Sequence, residues 1–149
     1  MKKSDKREDI LKVTLRIVKR SDWDFILMLR NNKKYQKYFY KQGTISKESH
    51  YQYLKNQIKN PNFYNWIICN QEKDIGYVRI LENDISIMLD DKFTLKGIGT
   101  KALEQVEKKA KELGLKKLVG RVMIDNESSK KIFVKNNYKL LMYWYEKKI

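Results

Sequence analysis

Val13, Leu15 and Ile17 alternate with other residues across Val13–Val18, which predicts a strand. Ser21 then stands where a helix cap belongs, with Asp22 and Asp24 in the first turn, where carboxylates suit the helix dipole. Trp23, Ile26, Leu27 and Arg30 share one side of that helix, which should run to about Asn31. Residues 32–45 are polar and aromatic, with Tyr35, Tyr38, Phe39 and Tyr40 close together, and read as a partly helical or irregular lid. Ser46-Lys47-Glu48-Ser49 approximates a capping box; Tyr51, Leu54 and Ile58 keep helical spacing after it, and Pro61 marks the stop.

The period then changes. Trp66–Cys69, Ile75–Leu81 and the alternating Ile85, Ile87 and Leu89 form an antiparallel meander, with turns at Gln71-Glu72-Lys73-Asp74 and Asn83-Asp84. From Gly97 to Leu113 the spacing is helical again, with Leu103, Val106, Ala110 and Leu113 as one stripe and Gly114 as the end. Leu118–Met123 reads as a strand, Ser128–Asn136 as a helix burying Ile132 and Phe133, and Tyr138–Tyr145 as a closing aromatic strand. The predicted order is β-α-α-β-β-β-α-β-α-β. It describes an α/β (α+β) domain, a mixed but mostly antiparallel sheet flanked by helices.

Composition narrows the class without naming it. A length of 149 residues suits one domain, and 42% hydrophobic with 34% charged residues is ordinary for a globular protein. No apolar run approaches the roughly 18 residues of a membrane span, and residues 1–10 read as a polar tail without a secretory stretch. Cys69 is the single cysteine, so no internal disulfide can form, and the expected location is the cytoplasm. The formal charge of +15 favours anionic partners. Because the lysines are spread without a like-charged block, a solvated surface or a small polyanion such as a nucleotide cofactor fits better than nucleic acid.

The most informative stretch is the passage from strand to helix ending in Thr94-Leu95-Lys96-Gly97-Ile98-Gly99-Thr100. Two glycines let the chain turn tightly at a helix start, where unpaired N–H groups at the positive end of the dipole make an anion site. Lys96, Lys101 and the Thr100 hydroxyl add to it. Gly97-Ile98-Gly99-Thr100-Lys101-Ala102 formally fits the dinucleotide fingerprint. That fingerprint needs its first glycine directly behind a strand in a parallel βαβ unit, and here a meander precedes it. The pattern Gly-x4-Gly-Lys-Ser/Thr is absent.

This segment resembles the coenzyme A motif of the GNAT superfamily of N-acetyltransferases, Arg/Gln-x-x-Gly-x-Gly/Ala. Asn126-Glu127-Ser128-Ser129-Lys130-Lys131-Ile132-Phe133-Val134-Lys135-Asn136-Asn137-Tyr138 resembles the family's Asn-x-x-Ser/Ala…Leu-Tyr-Glu-Lys-x-Gly-Phe. The likeness covers about residues 13–145. It implies acetyl-CoA as acetyl donor, with its diphosphate held by residues 94–100 (Thr94, Leu95, Lys96, Gly97, Ile98, Gly99, Thr100). Backbone N–H groups of Ile87, Met88 and Leu89, where a bulge parts the fourth strand from the fifth, would hold the thioester arm. Asn126 would touch the cofactor or the parted strand, or cap the following helix. Thr94 replaces the family's Arg or Gln, and Phe133 replaces the tyrosine that many members use to protonate the leaving thiolate.

The substrate amine would attack the thioester directly after losing its proton to a carboxylate or water. Asp84 aligns with a glutamate often used for this, with a turn role as the alternative. His50, the only histidine, is a second candidate base or a packed helix residue. Cys69 reads as core rather than nucleophile, and no ligand cluster implies a metal.

Leu29-Arg30-Asn31-Asn32, Ser46-Lys47-Glu48-Ser49-His50 and Ile75-Gly76-Tyr77-Val78-Arg79 further resemble the branch acting on nucleotide-linked amino sugars. The ribosomal-protein N-terminal acetyltransferases share much of that pattern. The acceptor is therefore a small amine, with a protein α- or ε-amine as the alternative. A third reading is a binding module for acyl-CoA or nucleic acid that lost its catalytic acid. A homodimer is compatible with each.

Overall fold

The computed structural model describes residues 12–93 and 97–149. Strand β1 (Val13–Ile17) leads through a 3-10 turn (Arg20–Asp22) into α1 (Trp23–Arg30). An irregular stretch with one further 3-10 turn (Gln36–Tyr38) reaches α2 (Lys47–Ile58). The meander is β2 (Phe63–Asn70), β3 (Lys73–Leu81) and β4 (Asp84–Leu89). A 3-10 turn (Asp91–Phe93), α3 (Ile98–Glu112), β5 (Val119–Gly120) and α4 (Glu127–Lys135) follow.

The sheet runs in the order β1-β2-β3-β4-β5, antiparallel except for the parallel β4–β5 pair. Two layers of helix cover it. Ile98, Ala102, Leu103, Val106 and Ala110 of α3 pack with Val13, Trp66, Ile68, Val78, Ile80 and Ile85 on one face. Trp23, Ile26 and Leu29 of α1 and Leu54 of α2 pack with Ile67, Cys69 and Tyr77 on the other. Alternate residues of β2 thus serve opposite cores, so its apolar run is continuous. Both hairpins turn on residues with positive φ, Gln71 and Glu72 in one and Glu82 and Asn83 in the other. Such paired left-handed residues match the twist of the flanking strands.

Ser46 caps α2 as expected, its hydroxyl accepting from the Ser49 N–H at 3.1 Å. Ser21 does not cap α1: it lies inside the 3-10 turn, and Asp22 takes the position before the helix. The Asp22 carboxylate is drawn away to the Lys19 N–H (2.7 Å) and to Arg16, which also grips Asp74. Leu29, rather than Arg30, completes the buried side of α1.

Two strands depart from expectation. The run Leu118–Met123 forms a ladder only at Val119 and Gly120. The run Tyr138–Tyr145 forms no strand: Leu140 to Tyr145 are 67–91% exposed. An apolar run makes a strand only where an edge offers matching backbone partners, and the two-residue β5 offers little. The expected bulge also moves. Pairing between β3 and β4 is regular, whereas β2–β3 shifts at Ile68/Cys69, leaving Ile75 as the extra residue of β3.

Candidate active site: the gap between β4 and β5

Only Asp84 and Ile85 of β4 pair with β5, through Val119 and Gly120. Beyond Ile85 the two strands have no ladder, while β4 stays paired with β3 as far as Leu89. The Asp90 N–H donates to the Ile75 carbonyl of β3 at 2.8 Å. In an antiparallel pair the direction of the backbone groups alternates, so Met88 also turns its N–H toward β3. Ile87 and Leu89 turn theirs toward the side of β5. Of the residues picked from sequence on this strand, Ile87 and Leu89 therefore face the gap with their backbone, and Met88 does not. The side chain of Met88 packs with the α1 face, those of Ile87 and Leu89 with the α3 face.

The gap leads to the start of α3. Gly97 precedes that helix with φ 72°, the left-handed region, and has no side chain with which to cap the turn. Its first turn contains no acid. The Lys101 N–H bonds the Gly97 carbonyl at 3.2 Å, which leaves the N–H groups of Ile98, Gly99 and Thr100 outside the helical ladder. Gly97 is exposed while Ile98 and Gly99 are buried, so the turn is anchored beneath and open above. Thr94, Leu95 and Lys96 lie outside the described residues.

Asn126 caps α4, its Oδ1 accepting from the Ser129 N–H and the Ser128 hydroxyl at 3.2 Å each. Phe133 packs edge-on against Tyr138 with ring centres 5.0 Å apart. Asp84 lies at the closed end of the gap, where two arginines hold it. Arg79 approaches one carboxylate oxygen at 3.6 Å and Arg121 the other at 3.3 Å. Neither arginine was singled out from the sequence. Arg79 did leave a signal, a lone cation within the apolar run Tyr77–Leu81, which in a half-buried strand calls for a partner.

His50 is packed between α2 and α1. It is 5% exposed, and its Nε2 donates to the Trp23 carbonyl at 2.9 Å, tying α2 to α1. Burial holds its pKa below the ordinary value, partly offset by that bond and by Asp24. Cys69 is buried, with Asp74 3.4 Å from its sulfur, and burial pushes the thiol up, which suits packing rather than attack. In the lid, the Arg30 guanidinium lies 4.0 Å over the Phe39 ring, and Asn31 clasps both backbone groups of Ile45. No described helix is long and apolar enough to cross a membrane. Among the described residues no group of His, Cys, Asp and Glu is placed to hold a metal ion.

An antiparallel meander that parts from a parallel fifth strand beside a glycine-led helix start is the frame on which the comparisons bear. The chain belongs to the GNAT acetyltransferase family: the model of the acetyltransferase (GNAT) domain matches residues 12–139. A domain from Methanocaldococcus jannaschii superposes with a TM-score of 0.76 at 26% identity, over 86% of this chain and 88% of that one. Spermidine N-acetyltransferase from Vibrio cholerae, solved with CoA and spermine, gives 0.75 at 20% identity, over 83% and 78%. The ribosomal L7/L12 alpha-N-protein acetyltransferase RimL gives 0.68 at 19%, over 83% and 74%. These last two likenesses are of fold alone. Among curated proteins nothing matches significantly. Neither the family match nor these structures support the narrower likeness to the branch acting on nucleotide-linked amino sugars.

Proposed function

We propose that this chain transfers the acetyl group of acetyl-CoA to a primary amine. The diphosphate would rest on the first turn of α3, and the thioester arm along Ile87 and Leu89. One observation carries the reading: the β4–β5 ladder stops at Ile85, so backbone groups of β4 on that side are left without a ladder, ahead of the Gly97-led start of α3. Bound acetyl-CoA supplies an activated acyl group and a thiolate that leaves readily.

The chain's own residues hold and polarise. A backbone donor aimed at the thioester oxygen, where negative charge develops, contributes about 3 kcal/mol. Ile87 and Leu89, whose N–H groups face the side of β5, would be those donors. Asn126, which caps α4, would meet the cofactor from the start of that helix. Proton removal from the incoming ammonium falls to water held near Asp84, because the two arginines engage both carboxylate oxygens. A thiol is a far stronger acid than an amine, with reference values near 8.5 and 10.4, so the leaving sulfur does not require the tyrosine that Phe133 replaces.

The charge of +15 disfavours a polycationic acceptor and favours an amine with neutral or negative surroundings, a nucleotide-linked amino sugar among them. Acetyl-CoA turnover against cationic, neutral and phosphate-bearing amines tests both claims. Release of CoA thiol with at least one amine is expected, strongest with the anionic set. Acetyl-CoA binding without turnover on any amine overturns the enzymatic reading in favour of a binding module.

A further inference from the structure

The two glycines at the start of α3 look alike in sequence but stand in different surroundings. Gly97 is exposed with a left-handed backbone. Gly99 lies within the helix and is buried. A Cβ placed on Gly99 would overlap Cδ1 of Ile132, approach its Cγ1 to 3.2 Å, and meet Leu89 Cδ1 at 3.7 Å. The residue that fills the space above Gly99 thus belongs to this chain. The next residue of α4 makes the same kind of contact elsewhere: a Cβ on Gly120 of β5 would overlap the Phe133 ring. Two successive residues of α4 therefore sit directly on backbone, one on the helix that follows β4 and one on β5, the two sides of the gap. Asn136, just past α4, adds a long contact from its Nδ2 to the Thr100 carbonyl at 3.5 Å.

We infer that Ile132 is a positioning residue for the anion-binding turn, and that Gly99 is a glycine to seat Ile132 rather than to admit the diphosphate. Gly99 is buried and Ile132 half-buried against the α3 core, and close-packed contacts transmit a displacement instead of absorbing it. With Ile132 on Gly99 and Leu89 beside it, the N–H groups of Gly99 and Thr100 keep a fixed direction relative to β4. Moving α4 by one methyl group turns those donors away from the ligand. The inference rests on the proposed CoA site and adds a residue that has no contact with the ligand.

The test is a cycle of Gly99→Ala, Ile132→Val and the double variant, each measured for acetyl-CoA affinity by calorimetry and for thermal unfolding. Overpacking by one methyl group should weaken acetyl-CoA binding about tenfold in Gly99→Ala. Valine lacks the overlapping Cδ1, so Ile132→Val in the Gly99→Ala background should restore affinity to within about threefold of wild type. Should Gly99→Ala alone fail to fold, a folded double variant that binds acetyl-CoA supports the seat equally. A Gly99→Ala loss that Ile132→Val leaves unrelieved, or affinity equal in all folded variants while only melting temperatures move, overturns the inference and leaves the CoA site standing. Wild-type protein without affinity for acetyl-CoA overturns the site, and the inference with it.

Discussion

Gly97 and Asp84 show how much a single residue's surroundings decide. An L-residue in the left-handed conformation of Gly97 costs about 1–2 kcal/mol. Gly97→Ala should lower stability by about that amount and weaken acetyl-CoA binding, both readable by calorimetry. At Asp84 two arginines engage both carboxylate oxygens, and a variant separates charge balance from proton transfer. Asp84→Asn should lower kcat less than tenfold, in the range of a lost surface-linked ion pair, and leave the acid limb of the pH profile in place. A loss of a hundredfold with that limb gone would make Asp84 the base.

The elements are joined by polar pairs that apolar patterning does not reveal. His50 ties α2 to α1, and its pKa is depressed in the fold. Protonation is resisted by the folded state, so this contribution is complete above the ordinary value near 6.5 and is lost as pH falls below it. Denaturant midpoints should fall between about pH 7 and pH 5, and His50→Gln should flatten that slope. Arg16 ties β1 to the turn before α1 and to β3 through Asp22 and Asp74, both held below the usual carboxylate range chiefly by hydrogen bonds from Arg16. Their share persists above about pH 4 and disappears under acid. Asp22→Asn should cost about 2 kcal/mol at neutral pH, measured by urea unfolding, and progressively less as pH falls below about 4.

For the molecule as a whole, the charge of +15 sets a field that favours polyanionic ligands. Acetyl-CoA affinity should therefore fall severalfold as salt rises from about 0.05 to 0.5 M, since screening shortens the reach of that field. Affinity independent of salt would mean that the local N–H donors alone hold the ligand. The sequence by itself determined the order of elements through β4, α3 and α4, because burial on one face imposes a period that any reader of the chain can count. Its Gly-x-Gly turn and the Asn126 cap were legible for the same reason: each depends on residues a few positions apart. What depends on distant partners was not. Whether Tyr138–Tyr145 forms a strand is set by an edge that β5 does or does not offer. Which donors of β4 stay open is set by where its ladder with β5 stops. The partners of Asp84, His50 and Gly99 come from other elements, brought near only by folding, and tertiary structure alone decided those contacts.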